Sequence, residues 1–338
     1  MKLESAIKFK NGKKRNSQTG KIPVYGGNGI LGYTNDYNAE KDNIIIGRVG
    51  AYCGCVYKND NQCWVSDNAI VGNVKDGYDY NFMYYLLKNK NLNSLHIGSS
   101  HPLMTQDILN NIDVIIPNYT YQKKAAKVLS TIDKKVELNN QINDNLYNQA
   151  VVIYNNSFQY NNGDCSIGDY IIPKRGKNLL SRDAILGDVP VVAGGLEPAT
   201  YHNAANTKAP VITISASGAN AGYINLWNVP VWSSDSSYID NSITENVYFW
   251  YVTLKIRQKE IFDAQTGSAQ PHIYPQHIAE LPIDKLNENE ILQYEKKVTP
   301  FFKMIGKNKI ENRNLEQLRD TLLPKVMNGE IDLNNIKV

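Results

Sequence analysis

Apolar residues follow two different periodicities along the chain. Short runs rich in Val, Ile, Tyr and Thr, bounded by Gly, Asn and Asp, predict strands joined by turns at 22–25, 44–49, 55–57 and 69–74. Apolar residues three and four positions apart predict helices at 82–90 and 248–262. The pattern predicts an α+β fold whose domains are strand-rich and carry a few helices.

Two much longer amphipathic segments occupy roughly 121–158 and 288–328. The first has a mostly helical apolar spacing over about 35 residues: Ala125, Val128, Ile132, Val136, Ile142, Leu146, Ala150 and Ile153. The second meets helix-stop signals at Pro324 and Asn328-Gly329. We expect the two helices to pair in antiparallel fashion as a coiled-coil-like spacer, about 50 Å long at a rise of ~1.5 Å per residue.

The chain contains an internal repeat with an offset of about 168 residues. Segments 22–35 and 44–54 match 189–203 and 212–222. Trp64, Ser66 and Asp67 fall on Trp232, Ser234 and Asp235, and 97–108 meets 266–278. The sequence therefore predicts two pseudo-symmetric domains separated by two long helices. Their bounds are 1–120 for the first domain, 121–160 for the first helix, 161–287 for the second domain, 288–330 for the second helix and 331–338 for a tail.

The length and composition of the chain are compatible with two domains and limit the classes of protein to which it could belong. A chain of 338 residues can bury two cores. Its formal net charge of +3 neither requires nor excludes a nucleic-acid partner, so the placement of the charges matters. No apolar run approaches a membrane span, and Met1 leads directly into Lys2 and Glu4, from which we expect a cytoplasmic protein. The four cysteines lack a metal-ligand spacing and are expected to be ordinary reduced thiols.

Basic residues gather near the start of each copy, which suits contacts to DNA phosphates. A solvated loop is the alternative for either cluster alone, but recurrence in both copies favours a shared role. Besides Lys8, the candidates are Lys10, Lys13, Lys14 and Arg15 in the first copy, and Lys174, Arg175, Lys177 and Arg182 in the second.

Polar, aromatic and glycine residues near these clusters are further candidates for DNA contact. Glycines at 27 and 195 allow either tight turns or a close approach of the backbone to a ligand. The GSxxP segments share their Gly, Ser and Pro residues but differ at the polar positions around them. Two domains that recognise different base sequences would differ in this way. Trp64 and Trp232 are expected to be core anchors. The candidates are Gly27, Asn28, Tyr33, Arg48, Tyr52, Ser99, Ser100 and His101, with Gly195, Tyr201, His202, Asn220, Ser268, Gln270 and His272 in the second copy.

The chain offers little sign of its own catalytic chemistry. Gly27, Gly29 and Gly32 spell GxGxxG, but no helix pattern follows and the second copy lacks the motif. Neither a phosphate-binding Walker loop nor an Asn-Pro-Pro-Tyr motif occurs, and no carboxylate pair recurs in both copies. The sequence favours a non-catalytic DNA-recognition subunit. Two alternatives stay open: a scaffold protein whose helices mediate interactions, and a DNA repair or modification enzyme.

The chain resembles, over essentially its whole length, the specificity subunits of type I restriction-modification systems. The segments that match the family's motifs are Lys2 to Lys13, Pro23 to Asn35, Ile46 to Gly50, Trp64 to Asp67, Gly98 to Leu103, Leu129 to Asp144 and the C-terminal LRDTLLPKVMNGEI. The second copy departs more, since Gly47-Arg48 becomes Ser215-Ala216.

This resemblance implies two target-recognition domains that each read one half of a gapped, bipartite site in double-stranded DNA. It implies two adenine-methyltransferase subunits and two restriction and translocase subunits as partners. S-adenosylmethionine, ATP and Mg would bind to those partners, with no cofactor or metal on this chain.

Overall fold

The computed structural model describes residues 1–15, 19–98, 100–158, 163–267 and 270–333. The chain divides into two compact units. The first comprises Met1–Val136 and Arg313–Val338, and the second comprises Glu137–Asn312. Each unit therefore holds one copy of the repeat together with a part of both long helices. The division into recognition domains and spacers made from the sequence stays a prediction, because it assigns functions to these parts.

The first unit is built from two sheets and two short helices. Its elements are β1 (Ile7–Asn11), β2 (Ile22–Gly26), β3 (Gly29–Thr34), β4 (Asn43–Gly47), β5 (Val56–Asn59), β6 (Trp64–Val65), β7 (Ala69–Val74), α1 (Tyr80–Asn89) and α2 (Gln106–Asn110), followed by α3 (Tyr119–Ser157). One antiparallel sheet has the order β1-β7-β4-β5. In the other, β2 pairs antiparallel with β3 and parallel with β6.

The central strands of the first unit are buried on both faces. Side chains alternate across a strand, so Ile44 and Ile46 join the core shared with α1 and the long helices, while Ile45 joins a smaller core with Val65 and Val71. Both faces of the larger sheet are therefore covered, which fits the nearly unbroken apolar run from 44 to 46.

The second unit repeats this topology. Its elements are β8 (Cys165–Ser166), β9 (Lys174–Arg175), β10 (Val189–Val192), β11 (Thr200–His202), β12 (Val211–Ser215), β13 (Ile224–Trp227), β14 (Trp232–Ser233), β15 (Ser236–Asp240), α4 (Val247–Ile256), α5 (Gln258–Asp263), α6 (Pro275–Ala279) and β16 (Pro282–Ile283), followed by α7 (Glu288–Met327). The sheets have the orders β13-β12-β15-β9 and β11-β10-β14, and β16 pairs with β8. The parallel pairing of β10 with β14 mirrors that of β2 with β6.

The predicted helix at 248–262 is divided, because α4 ends at Ile256 and α5 begins at Gln258. The Gln258 side chain accepts a hydrogen bond from the Ile224 N–H at 2.9 Å and donates to the Gly222 carbonyl at 2.8 Å. These bonds fasten the start of α5 to the edge of β13, which explains the break.

The long helices α3 and α7 contain 39 and 40 residues and pair in antiparallel fashion within each unit. In the first unit, the Tyr121 hydroxyl donates to the Val326 carbonyl and Arg319 bonds to Asp133. In the second unit, Asn143 and Asn139 contact Asn308 and Asn312, respectively. The predicted α+β class, with two strand-rich copies and two long antiparallel helices, is confirmed.

The C-terminal end of α7 differs slightly from its sequence prediction. The helix continues past Pro324 to Met327, so the proline does not end it. The Glu330 N–H donates to the Lys325 carbonyl, and Gly329 has a φ of +73°. A left-handed glycine with this bond closes a helix end, so the glycine signal was correct and the proline signal was not.

Candidate nucleic-acid interface

A basic turn stands at the same place in both units: residues 12–15 in the first and 176–177 in the second. Lys13 donates its backbone N–H to the Val65 carbonyl at 2.9 Å, and the Trp64 indole N–H donates back to the Lys13 carbonyl at 3.1 Å. In the second unit, Lys177 donates to the Ser233 carbonyl at 2.9 Å and Trp232 donates to the Lys177 carbonyl at 2.8 Å. Each tryptophan therefore clamps a lysine backbone while the lysine side chain faces solvent.

A glycine precedes each clamped lysine because the turn packs directly on the one or two residues after the tryptophan. A Cβ on Gly12 would collide with the backbone of Ser66, and a Cβ on Gly176 would collide with Ser233. The Gly-Lys pair is therefore a packing requirement of the turn.

An asparagine fixes the strand beneath each basic turn. Asn38 donates to the Val65 carbonyl at 2.9 Å and accepts from the Val65 N–H at 2.7 Å. Asn206 makes the same pair of bonds with Ser233, at 2.8 and 2.7 Å. Asn38 and Asn206 lie 168 residues apart, which is the offset of the internal repeat, so their recurrence was the signal available in the sequence.

The described residues of the GSxxP loops, 98 and 100–103 in the first unit and 267 and 270–272 in the second, dock against the turns that follow β4 and β12. The W-S-D turns, residues 64–67 and 232–235, contact the same two segments, because the Arg48 side chain donates to Asp67 and the Ala216 N–H donates to Asp235. Gly50 donates its N–H to the Pro102 carbonyl at 3.1 Å, and Gly218 donates to Pro271 at 3.0 Å. Gly98 and Gly267 have φ angles of +83° and +91°, which L side chains rarely adopt. Ser100, His101 and Gln270 are exposed and His272 is half-buried, so the variable positions lie on an accessible surface.

The hairpin of β2 and β3 flanks the first basic turn. Tyr33 and Tyr52 expose about half of their surface, 51% and 48%. Arg15 donates to the Tyr33 carbonyl at 3.0 Å, which ties the basic turn to the hairpin. Gly27 lies next to the carbonyls of Val49 and Asn68, and Asn28 is exposed at the tip. The first unit thus gathers cations, polar groups and aromatic rings on one surface.

The second unit gathers fewer of its candidates around its basic turn. Asn220 donates to the Gly194 carbonyl at 3.3 Å, which places it beside Gly195. Tyr201 is half-buried on β11, and Lys174 contacts the Ser242 hydroxyl at 3.4 Å. Arg182 is exposed and lies 3.6 Å from its neighbour Asp183.

Each unit also holds one guanidinium against its W-S-D turn. Arg48 donates to the Asp67 carbonyl at 3.1 Å. Arg175 pairs with the Asp235 carboxylate at 2.6 Å, and that carboxylate also accepts from the Ser217 hydroxyl. The two arginines come from different strands, since Arg48 follows β4 and Arg175 belongs to β9.

The predictions for five residues need correction or fall outside the described residues. His202 is buried, its Nδ1 accepts from the Ile185 N–H at 3.0 Å, and its ring packs edge-on against Trp232. It therefore belongs to the support of the turn rather than to the surface. Ser99 and Ser268 lie outside the described residues. The predicted core anchors, Trp64 and Trp232, are half-buried clamps.

The glycines of the GxGxxG pattern lie in and beside the β2–β3 hairpin, so they do not link a strand to a helix as a dinucleotide-binding loop does.

Burial raises the pKa of the Cys63 thiol to about 11 and raises that of Cys53 as well, so both stay protonated near neutral pH. Among the described residues, no group of three His, Cys, Asp or Glu could hold a metal ion. None of the helices in the described ranges is long and apolar enough to cross a bilayer.

Comparisons with known proteins agree with this geometry. Residues 2–148 match the family model of the type I restriction modification DNA specificity domain. The chain is 23% identical over 326 residues to S.MpnORF638P of Mycoplasma pneumoniae, a candidate type I specificity subunit, covering 89% of this chain and 87% of that protein. It is 30% identical over 111 residues to the EcoprrI specificity subunit of Escherichia coli, covering 33% of this chain and 28% of that one.

Among solved structures, the type I restriction-modification S subunit from M. genitalium shares this fold. The TM-score is 0.63 at 20% sequence identity, with 96% of this chain and 95% of the other covered. The fold and the repeated surface thus define a protein with two copies of one strand-rich domain, the first of which matches the DNA specificity model. Residues 2–148 therefore carry the signature of a type I restriction-modification DNA specificity domain, and the chain is similar to type I specificity subunits over most of its length.

Proposed function

We propose that this chain recognises a bipartite, gapped site in double-stranded DNA, with each unit contacting one half-site. The observation that carries the proposal is the recurrence of the tryptophan-clamped basic turn beside a GSxxP loop in both units. A single exposed lysine turn has many uses. A protein that recognises two half-sites requires one such surface in each unit. Here the same turn recurs in both units, held by the same indole hydrogen bond next to a polar loop whose residues differ.

The chemistry of the surface suits DNA. Exposed lysine and arginine side chains on a rigid turn contact phosphates and fix the orientation of the protein on the duplex. The polar tips of the GSxxP loops have the donors and acceptors that read base edges. The tips differ between the units, Ser100 and His101 against Gln270 and His272, so the two half-sites would differ in sequence.

The proposal assigns the chemistry on DNA to partner subunits. The chain would direct two adenine-methyltransferase subunits and two restriction and translocase subunits to the site. S-adenosylmethionine, ATP and Mg would be used there, and this chain would be non-catalytic. The long helices α3 and α7 would set the unread gap between the half-sites.

The experiment is a genome-wide map of N6-methyladenine in the native host, with and without this gene. Loss of one gapped motif on deletion, and its return on complementation, supports the proposal. An unchanged methylome in a strain that expresses the methyltransferase would contradict it and favour a scaffold that uses its helices without reading DNA. Electrophoretic titration of the purified chain against duplex DNA at several salt concentrations separates these outcomes independently, because only the DNA reader binds in a salt-dependent way.

A further inference from the structure

We infer that each half-site contains a guanine read by the arginine held on the W-S-D turn, Arg48 in the first unit and Arg175 in the second. This inference rests on the proposed function and names the residues and the base behind its specificity. Arginine reads guanine by donating two parallel hydrogen bonds to O6 and N7 in the major groove. A guanidinium that does so gains from being fixed in advance, because less rotational freedom is lost on binding.

Both arginines are fixed and still accessible. One Arg175 nitrogen, Nη2, bonds to Asp235 at 2.6 Å, while 44% of the Arg175 side chain remains exposed. The Asp235 carboxylate is held in turn by the Ser217 hydroxyl. One Arg48 nitrogen, Nη1, bonds to the Asp67 carbonyl at 3.1 Å, and the Arg48 backbone N–H donates to the Asn68 carbonyl at 2.9 Å. Among the described residues, each guanidinium makes one side-chain hydrogen bond to the turn, which occupies a single nitrogen.

The W-S-D turn places these arginines beside the variable loops. The Met104 N–H donates to the Arg48 carbonyl at 2.8 Å, so Arg48 stands directly against the end of the first GSxxP loop. Ser217, which contacts the partner carboxylate of Arg175, pairs with His272 of the second loop. The backbone of Arg48 and the residue that holds Asp235 thus each contact a segment in or directly after a GSxxP loop.

The sequence explains why the two arginines were not recognised as equivalent. Position 48 corresponds to Ala216, so the repeat suggests that the second unit lost its arginine. The residue before the Gly-Lys pair is Asn11 in the first unit and Arg175 in the second. A guanidinium therefore reaches the same turn from two different chain positions, and only the three-dimensional contacts with Asp67 and Asp235 reveal this.

Other arginines on these surfaces lack that placement and serve as matched controls. Arg15 is exposed and bonds to a carbonyl, that of Tyr33, but it belongs to the hairpin side of the basic turn. Arg182 is exposed, and its side chain lies 3.6 Å from the carboxylate of its neighbour Asp183 rather than against Asp235. We expect both to contact phosphates, which carry no sequence information.

The test replaces the chromosomal gene in the host by Arg48→Lys, Arg175→Lys, Arg15→Lys or Arg182→Lys and maps N6-methyladenine across the genome. Lysine keeps the charge but loses the two-pronged geometry. We expect Arg48→Lys to relax one G·C position in one half-site and Arg175→Lys to relax one in the other. Discrimination at each position should fall roughly 5- to 150-fold. The two control variants keep a cation at a phosphate contact, so the base sequence of both half-sites should stay unchanged even where the extent of methylation falls.

Each outcome has a distinct meaning. If wild type modifies a gapped motif but Arg48→Lys and Arg175→Lys leave it unchanged, or reduce modification equally at all sites, the inference is wrong and the proposed function stands. If both variants relax the same half-site, the assignment of one arginine to each half-site is overturned. If wild type shows no gapped motif, the proposed function itself fails. Circular dichroism of each purified variant checks that an altered pattern does not reflect loss of the fold.

Discussion

At the scale of single residues, the indole clamp is the feature on which the candidate surface depends. Trp232→Phe removes the hydrogen bond to the Lys177 carbonyl while keeping most of the ring. A typical intramolecular hydrogen bond stabilises by about 1 kcal/mol, and here the loss falls on a surface turn. We predict faster amide hydrogen exchange at residues 176–177 and weaker DNA binding, measured by exchange mass spectrometry and by titration.

The matched control for this prediction is Trp227→Phe. Trp227 also donates its indole N–H, to the Thr213 hydroxyl at 2.9 Å, in the same unit but away from the basic turn. If Trp227→Phe speeds exchange at 176–177 as much as Trp232→Phe does, the clamp has no special role in ordering the turn.

A buried glutamate gives the second unit a pH-dependent stability. Glu295 of α7 accepts the N–H groups of Tyr248 and Phe249 at the start of α4. Burial raises its pKa to about 7, although these two hydrogen bonds act in the opposite direction. The folded chain therefore holds a proton that the unfolded chain, near the ordinary value of 4.5, releases. The stabilisation is complete below about pH 4.5 and is lost as the pH rises through about 7.

Glu295→Gln removes this titration. We predict that the melting temperature of the variant, relative to wild type, increases between pH 5 and pH 8, because only wild type must bury a charge at the higher pH. The underlying free-energy change is on the order of 1–3 kcal/mol. Glu290→Gln, on the exposed face of the same helix, is the control. A constant offset between wild type and Glu295→Gln across this pH range would refute the assignment.

At the scale of elements, a ladder of asparagines joins α3 and α7 inside the second unit. Asn143 accepts from Asn308 at 2.9 Å, and Asn139 donates to Asn312 at 2.8 Å. These four side chains are at most 9% exposed. Buried amides that satisfy one another specify the register of a helix pair at some cost in stability.

Single and double substitutions separate the two effects. We predict that Asn143→Leu or Asn308→Leu alone destabilises by about 1–3 kcal/mol, because each leaves a buried amide without its partner. The double variant should recover most of this loss, since an apolar pair leaves nothing unsatisfied. Urea unfolding of the four chains in a double-mutant cycle measures the coupling. Asn148→Leu, on the exposed face of α3, controls for a general gain in apolarity.

The elements also show what the sequence could predict. Strands β2, β4 and β7 and helix α1 follow from local periodicity, and the two-unit organisation follows from the repeat. The asparagine ladder could not be predicted, because Asn139 interrupts the apolar stripe between Val136 and Ile142 and resembles a solvated face. The other three asparagines each stand beside a charged residue and give the same impression. The break at Arg257 was missed for a similar reason, since Gln258 is drawn to β13 by tertiary hydrogen bonds.

At the scale of the whole molecule, the two candidate surfaces carry unequal free charge. In the first unit, Lys13, Lys14 and Arg15 are exposed, and no carboxylate of the described residues lies within 4 Å of them. In the second unit, Arg175 and Arg182 each lie beside an aspartate. The first unit is therefore expected to supply more of the phosphate contacts, a difference that the small net charge of +3 conceals.

This asymmetry predicts the salt dependence of DNA binding. The logarithm of the affinity falls linearly with the logarithm of the salt concentration, with a slope of about −0.9 for each phosphate neutralised. Replacing Lys13, Lys14 and Arg15 together by Gln should reduce the slope by roughly 2 to 3, by an equal amount on duplexes of any sequence. Replacing Lys174 and Lys177 should reduce the slope by no more than about 2.

The control is Lys296→Gln with Lys297→Gln, on the exposed face of α7, which should leave the slope unchanged. Fluorescence anisotropy at several salt concentrations measures the slopes. If replacing the second unit's lysines reduces the slope more than replacing the first unit's cations, the ion-paired arginines of the second unit release their aspartates on binding DNA. The number of unpaired cations in the unbound chain then does not predict which surface contacts more phosphates.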